Sequence, residues 1–351
     1  MVEQTAMVTG ATGFVAAQLI RELLHQGNRV RGSVRSTLKE LDWLRALRGA
    51  ERLALFDADL SKDGSFDAAC EGVSCVMHTA SPYILTVKDP QKDLVDPAVQ
   101  GTLNVLRAAK KSKTVKRVVL TSSMAAITDE PDRRIKLTEE HWNTRSSLKR
   151  NPYYLSKTLA ERAAWEFMQN EKPGFSLVVI NPFMVIGPSL GPTINTSNQI
   201  LLDMLTGKYP AIMDLAWGMV DVRDVALAHV LAMMTPRAKG RYICANTTIH
   251  MRDVVKLLRD NGYGEGYKLP KHSLANPFGN ALAKAMSFFQ PSGVGSYLRT
   301  HVGRLPVFDN GKIKRELGLT FRPLDKSILD AVADLKKWGH LPSVEPKASP
   351  S

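Results

Sequence analysis

At 351 residues the chain is long for one core and short for three domains, and its 44% hydrophobic and 23% charged residues exclude a disordered class. The net charge of +13 is spread over 107–117, 133–136 and 312–315. There is no aromatic interleaving and no zinc-finger or helix-turn-helix spacing, so solvated helix faces are expected rather than nucleic-acid binding.

The predicted elements begin at once. Residues 5–9 read as a strand, which leaves no room for a signal peptide, and 14–25 as a helix carrying Leu19, Leu23 and Leu24. A strand at 28–34 and a helix at 38–47 follow, then strands at 52–57, 74–79 and 116–121. A helix at 152–169 leads to a sixth strand at 176–181. Strands separated by helical crossovers predict an α/β fold, a Rossmann-type doubly wound parallel sheet with helices on both faces.

After Asn181 the rhythm changes. Residues 182–218 are rich in Pro, Gly, Asn and Ser around a helical patch at 199–205. Residues 222–234 are helical, 241–245 return to the sheet, and helical patterns dominate from Met251, including 280–289 and 326–338. The expected division is a dinucleotide-binding domain over 1–181 with returning segments at about 218–246. A smaller, mostly helical substrate-binding lobe takes 182–217 and 247–343, and 344–351 is a disordered tail. No apolar run reaches the ~18 residues of a membrane span, and Cys70, Cys75 and Cys244 form no CxxC pair. A reduced, cytoplasmic protein without a metal site or membrane partner is expected.

The first strand runs into Thr9-Gly10-Ala11-Thr12-Gly13-Phe14-Val15-Ala16, a GxxGxxA turn opening a helix. Gly10 permits the tight turn, Gly13 lets backbone amides approach a pyrophosphate, and the small Ala16 allows close helix–strand packing. Thr9, Thr12, Phe14 and Val15 complete this cradle. At the end of the second strand, where readers of NAD place a carboxylate, stand Ser33-Val34-Arg35-Ser36 with Lys39 beyond. The fork of Arg35 suits a ribose 2′-phosphate, so NADP(H) is the expected cofactor. Asp59 and Leu60, after the third strand, are expected to border the adenine; Thr79, Ala80 and Ser81, after the fourth, border the linking riboses and phosphates.

Tyr153 and Lys157 stand at i and i+4 of a predicted helix, hence on one face. A phenol titrates near ~10, and a neighbouring ammonium lowers that by about 1–3 units, towards useful general-acid strength. Tyr154 has no lysine at i+4. Upstream, the fifth strand ends in Leu120-Thr121-Ser122-Ser123 at the sheet edge where ligands bind. A serine hydroxyl there can hydrogen-bond a substrate carbonyl. By contrast, His78 reads as core packing, and Asp221, Arg223 and Asp224 as anchors of the smaller lobe.

Taken together, TGATGFVA, HTASP (78–82), PAVQGT (97–102), VVLTSS (118–123), YYLSKTLAERAAWEF (153–167), NPFMVIGP (181–188), INTS (194–197) and VDVRDVALAH (220–229) resemble the extended short-chain dehydrogenase/reductases. The resemblance is strongest to the group of dihydroflavonol reductase, cinnamoyl-CoA reductase and the yeast methylglyoxal/carbonyl reductases. It implies Ser123, Tyr153 and Lys157 as the catalytic set, with Lys157 also holding the nicotinamide ribose and Pro182 and Met184 bordering the nicotinamide. Some positions depart from the pattern. Gln100 replaces a frequent asparagine, Thr128 replaces the flavonoid-binding asparagine, and only Asn151, Tyr153 and Lys157 match the NWYCYGK signature of cinnamoyl-CoA reductases. Met124-Ala125 replaces the Asp-Glu pair of the sugar dehydratases. The expected function is NADPH-dependent reduction of a small-molecule aldehyde or ketone, with Tyr83, Met124 and Ile194 shaping an apolar substrate pocket. The alternatives are a hydroxysteroid or nucleotide-sugar dehydrogenase or epimerase, and a non-catalytic NADP(H)-binding regulatory or RNA-associated protein. Monomer and homodimer read alike.

Overall fold

The computed structural model describes residues 4–36, 41–81 and 87–342. Lys39, Tyr83 and the tail 344–351 lie outside the described residues, as does the start of the helix expected at 38–47, of which Asp42–Arg45 is described.

Seven strands form one parallel sheet in the order Gly240–Cys244, Ser176–Pro182, Arg117–Thr121, Cys75–His78, Thr5–Val8, Arg29–Val34 and Leu53–Asp57. The inner strands are short runs such as Val118, Val119 and Leu120, buried on both faces as helix-covered parallel strands must be. Phe14–His25 and Val222–Met234 pack together on one face over Leu19, Ile20, Leu23, Val225 and Val230. Asp96–Ser112 and Pro152–Glu171 cover the other through Val105, Leu106, Ala164 and Phe167. Strand order reverses between Thr5–Val8 and Cys75–His78, which opens a crevice at the carboxyl ends of those strands.

Two sequence expectations need amendment. Helix Asp96–Ser112 lies where the sequence reading assigns no element. Pro97 falls in the first turn, where its missing N–H is harmless, and a Cβ at Gly101 would meet Leu60 at 2.9 Å. The second is the Pro- and Gly-rich stretch after Asn181. Met184–Ile186 and Ala216–Asp221 pair in parallel there, and Thr247–His250 adds antiparallel to the latter, giving a three-stranded sheet beneath the lobe's helices. A second apolar cluster, including Leu201, Trp217, Met251 and Ile328, is built on it.

The lobe is anchored by the acidic run expected to do so. Asp221 caps helix Val222–Met234 by accepting the Arg223 amide at 2.7 Å, and Arg223 pairs with Asp330 at 2.8 Å. Asp224 accepts the Arg322 amide at 2.8 Å and pairs with its guanidinium.

Candidate active site

The nucleotide end of the crevice is built by backbone. Gly10 sits at φ +66°, open to glycine without strain, and a Cβ there would press on Ala80 Cβ at 3.0 Å. Gly32 has no side chain for a similar reason: a Cβ would lie 2.9 Å from Ala11 Cβ. Ser33 Oγ accepts the Gly10 amide at 3.0 Å, tying the second strand to the turn. Helix Phe14–His25 begins at Gly13 with no side-chain cap and no acidic residue in its first turn. Its amino end is therefore a site of positive potential facing the crevice.

Thr9 is fully buried and does not face the crevice. Its Oγ accepts the amides of Thr79 (3.0 Å) and Ala80 (2.8 Å), so its single proton is directed to His78 Nδ1 at 3.0 Å. Burial, with Lys157 adding to it, pushes His78 down to about 3, so the ring is neutral and can accept. His78 is core packing as expected, and it also fixes the floor under Thr79 and Ala80.

One cavity of about 1560 Å³ runs from this cradle to the smaller lobe. Gly10, Thr12, Gly13, Phe14 and Val15 line its inner end, Arg35, Asp59 and Leu60 its outer edge, and Thr79, Ala80 and Ser81 the floor. Asp59 accepts the Ser61 amide (2.9 Å) and hydroxyl (2.8 Å), which hold its carboxyl below the usual range and turn it onto its own loop. Among the described residues, the outer edge thus presents Arg35, exposed and close enough to help hold down the carboxyl of Asp59, which is bonded to its own loop. Trp43 closes this side against Gly191 of the lobe.

Ser123, Tyr153 and Lys157 meet on the wall of the same cavity, with Met124, Pro182, Met184 and Ile194 beside them. Lys157 Nζ lies 5.8 Å from the Tyr153 ring centre. The lysine is buried, and desolvation pushes its ammonium down to about 8. Ser123 Oγ accepts the Ala125 amide at 3.2 Å, which leaves its own proton available to another acceptor. Tyr154 is differently committed. Burial pushes His301 down to about 3, and its Nδ1 faces the Tyr297 carbonyl at 3.2 Å. The neutral ring then accepts the Tyr154 hydroxyl at Nε2, 3.2 Å away.

Several residues that build this wall escaped the sequence reading. Glu161, one further turn along the Tyr153–Lys157 face, is buried under it. It accepts Ser122 Oγ (2.5 Å), Asn181 Nδ2 (2.8 Å), Arg241 Nε (2.5 Å) and Trp165 Nε1 (3.3 Å). Asn181 also donates to the Ser123 carbonyl at 3.2 Å, so three sheet strands and the helix are locked at one carboxylate. The i+8 position was the available signal. At the helix start, Asn151 takes φ +49°, and its amide and side chain donate to Ser296 (3.0 Å) and Thr300 (3.1 Å) of the lobe.

Residues 6–245 match the model of the NAD dependent epimerase/dehydratase family. Cinnamoyl-CoA reductase CAD2 of Medicago truncatula is 39% identical over 94% of this chain and 95% of its own length. Tetraketide alpha-pyrone reductase 1 of Arabidopsis thaliana is 37% identical over 97% of both. Among solved structures, yeast methylglyoxal/isovaleraldehyde reductase Gre2 complexed with NADPH superposes with a TM-score of 0.81 at 30% identity, over 96% of this chain and 100% of that one. The chain belongs to the NAD dependent epimerase/dehydratase family.

Proposed function

From membership of that family, we propose that this protein is an NADPH-dependent carbonyl reductase in which Tyr153 is the proton donor. Support comes above all from one geometric fact: Ser123, Tyr153 and Lys157 share a wall of the cavity whose far end is the glycine cradle. The relatives' names point the same way, since each is a reductase and one was solved with NADPH.

The cradle suits a dinucleotide phosphate, because a helix amino end without an acid in its first turn stands beside a glycine turn where a Cβ would crowd its neighbours. Arg35 takes the 2′-phosphate, and Pro182 and Met184 flank the nicotinamide. When bound, NADPH supplies the hydride. The protein orients the carbonyl and delivers the proton. Ser123, its Oγ already accepting from Ala125, donates to the carbonyl oxygen and holds it in place. Tyr153 protonates that oxygen as negative charge develops there. Lys157, as an ammonium, favours the phenolate that remains and so lowers the work of proton transfer. Beside the trio the cavity lining includes the apolar side chains of Met124, Met184, Ile194, Met213 and Leu298, which suits an apolar carbonyl compound. The neutral pair Tyr154–His301 offers the polar contact within that region.

The test is turnover. Purified protein with NADPH and a panel of aldehydes, α-diketones, aromatic ketones and dihydroflavonols is expected to oxidise NADPH with at least one of them. Tight NADPH binding without oxidation by any carbonyl would overturn the proposal.

A further inference from the structure

Helix Pro277–Met286, the turn Ser287–Phe289 and helix Ser292–His301 form the outer lip of the cavity. Ala283 faces inwards and packs on the lobe's apolar cluster. The adjoining stripe is less covered. Phe278, Leu282 and Met286 repeat at i, i+4 and i+8, and Phe288 and Phe289 continue the line. Phe278 is 74% exposed, Phe288 73% and Phe289 82%. Leu282, Met286 and Val294 are exposed as well, yet they also line the cavity, so the apolar patch is continuous with its mouth.

The lip carries more cations than anions, although Asp214 accepts Asn280 Nδ2 of helix Pro277–Met286 at 2.7 Å. Between Glu265 and Asp309 the sequence has no Asp or Glu, whereas it has Lys268, Lys271, Lys284, Arg299 and Arg304. Arg304 is neutralised by Glu130. Among the described residues, Lys268, Lys271 and Lys284 form no ion pair. The Arg299 guanidinium lies 4.7 Å from the Phe288 ring centre and donates to Ser287 Oγ at 3.0 Å, so Phe288 is held outwards.

We infer that this lip docks on an anionic membrane surface, with the cavity mouth opening towards the lipid. Phe278, Phe288, Phe289 and Met286 enter the boundary between headgroups and acyl chains, and Lys271 and Lys284 meet anionic headgroups. Leu282, Met286 and Val294 beside the phenylalanines favour acyl chains over stacked bases, which distinguishes this partner from a nucleic acid. The docking is peripheral. Among the described residues no helix is long and apolar enough to cross a membrane, and this is where the expectation of no membrane partner is revised. Taken with the proposed reductase function, on which this clause alone rests, the arrangement lets an apolar carbonyl compound pass from lipid to cavity.

Flotation with phosphatidylcholine vesicles, with and without phosphatidylserine, tests the docking without reference to turnover. Binding is expected to be at least about tenfold stronger with phosphatidylserine and to fall as salt is raised. The double variant Phe288→Ser/Phe289→Ser is expected to lose it, as is Lys271→Glu/Lys284→Glu. Neither variant alters a side chain on the cavity wall, so NADPH binding and reduction of a small water-soluble aldehyde are expected to persist and to report correct folding. No binding to the phosphatidylserine vesicles would overturn the inference. So would undiminished binding of the Phe variant, which would reduce the effect to the chain's general positive charge. A dimer in light scattering that dissociates in the Phe variant would instead assign the patch to a second copy.

Discussion

Replacing Lys157 by methionine isolates a group that the fold holds at its own expense. Its ammonium is moved from 10.5 to about 8 by burial. Between those values the unfolded chain keeps a proton that the folded one has released, so stability rises with pH. At pH 7 the buried charge destabilises the cofactor-free protein by about 3 kcal/mol, falling to roughly half of that by pH 9.5. Methionine has nearly the same length and no charge, and such volume-conserving exchanges cost less than about 1.5 kcal/mol. Lys157→Met is therefore expected to be more stable than the wild type at pH 7, by about 1.5–3 kcal/mol, while losing most of its activity. Urea unfolding of both proteins from pH 7 to 9.5 measures it. The advantage should shrink by at least about half over that range, and vanish if the packing cost of methionine is at its upper limit. The buried thiols of Cys70 and Cys75, pushed up to about 12, act in the opposite sense in both proteins and cancel in the difference. Equal or lower stability of the variant at pH 7, with an unchanged pH profile, would refute the reasoning. With NADPH at 100 times its Kd the wild type gains about 2.7 kcal/mol, and the variant should gain less if Lys157 holds the nicotinamide ribose as proposed.

Three further outcomes are expected. Tyr153→Phe should lower kcat by about 10²- to 10⁴-fold while leaving the NADPH dissociation constant, read by fluorescence titration, within a few-fold. An unchanged kcat would transfer the acid to another group. Arg35→Ala should weaken NADPH by about ten- to a hundredfold, the worth of charge-assisted hydrogen bonds, with little effect on NADH; equal losses for both cofactors would remove the 2′-phosphate contact. Arg241→Met leaves Glu161 buried without its cation and should cost about 3–5 kcal/mol in urea unfolding. Adding Glu161→Gln should restore part of that loss, and strict additivity of the two would deny the coupling.

Local signals were legible wherever a residue's immediate neighbours dictate its structure. The helices at 14–25 and 222–234 match the structure end to end, because apolar periodicity and the glycine turn or aspartate cap mark their limits. That Ser123, Tyr153 and Lys157 would meet on one cavity wall was legible because strand end and helix spacing each place their residues on a known face. Helix Asp96–Ser112 was missed for want of knowing that Gly101 serves a contact with Leu60.

By itself, then, the sequence determined the seven strands of the parallel sheet, the glycine cradle, and which tyrosine stands a turn from a lysine. Only the tertiary structure decided what surrounds that pair. Glu161 and Arg241 are eighty positions apart and meet at 2.5 Å, and Tyr154 finds His301 across the lobe interface. Pairings of that kind follow from how the chain closes on itself, and a period of two or of 3.6 residues does not encode them. The depressed ammonium of Lys157 has the same origin, since burial is the work of the whole fold.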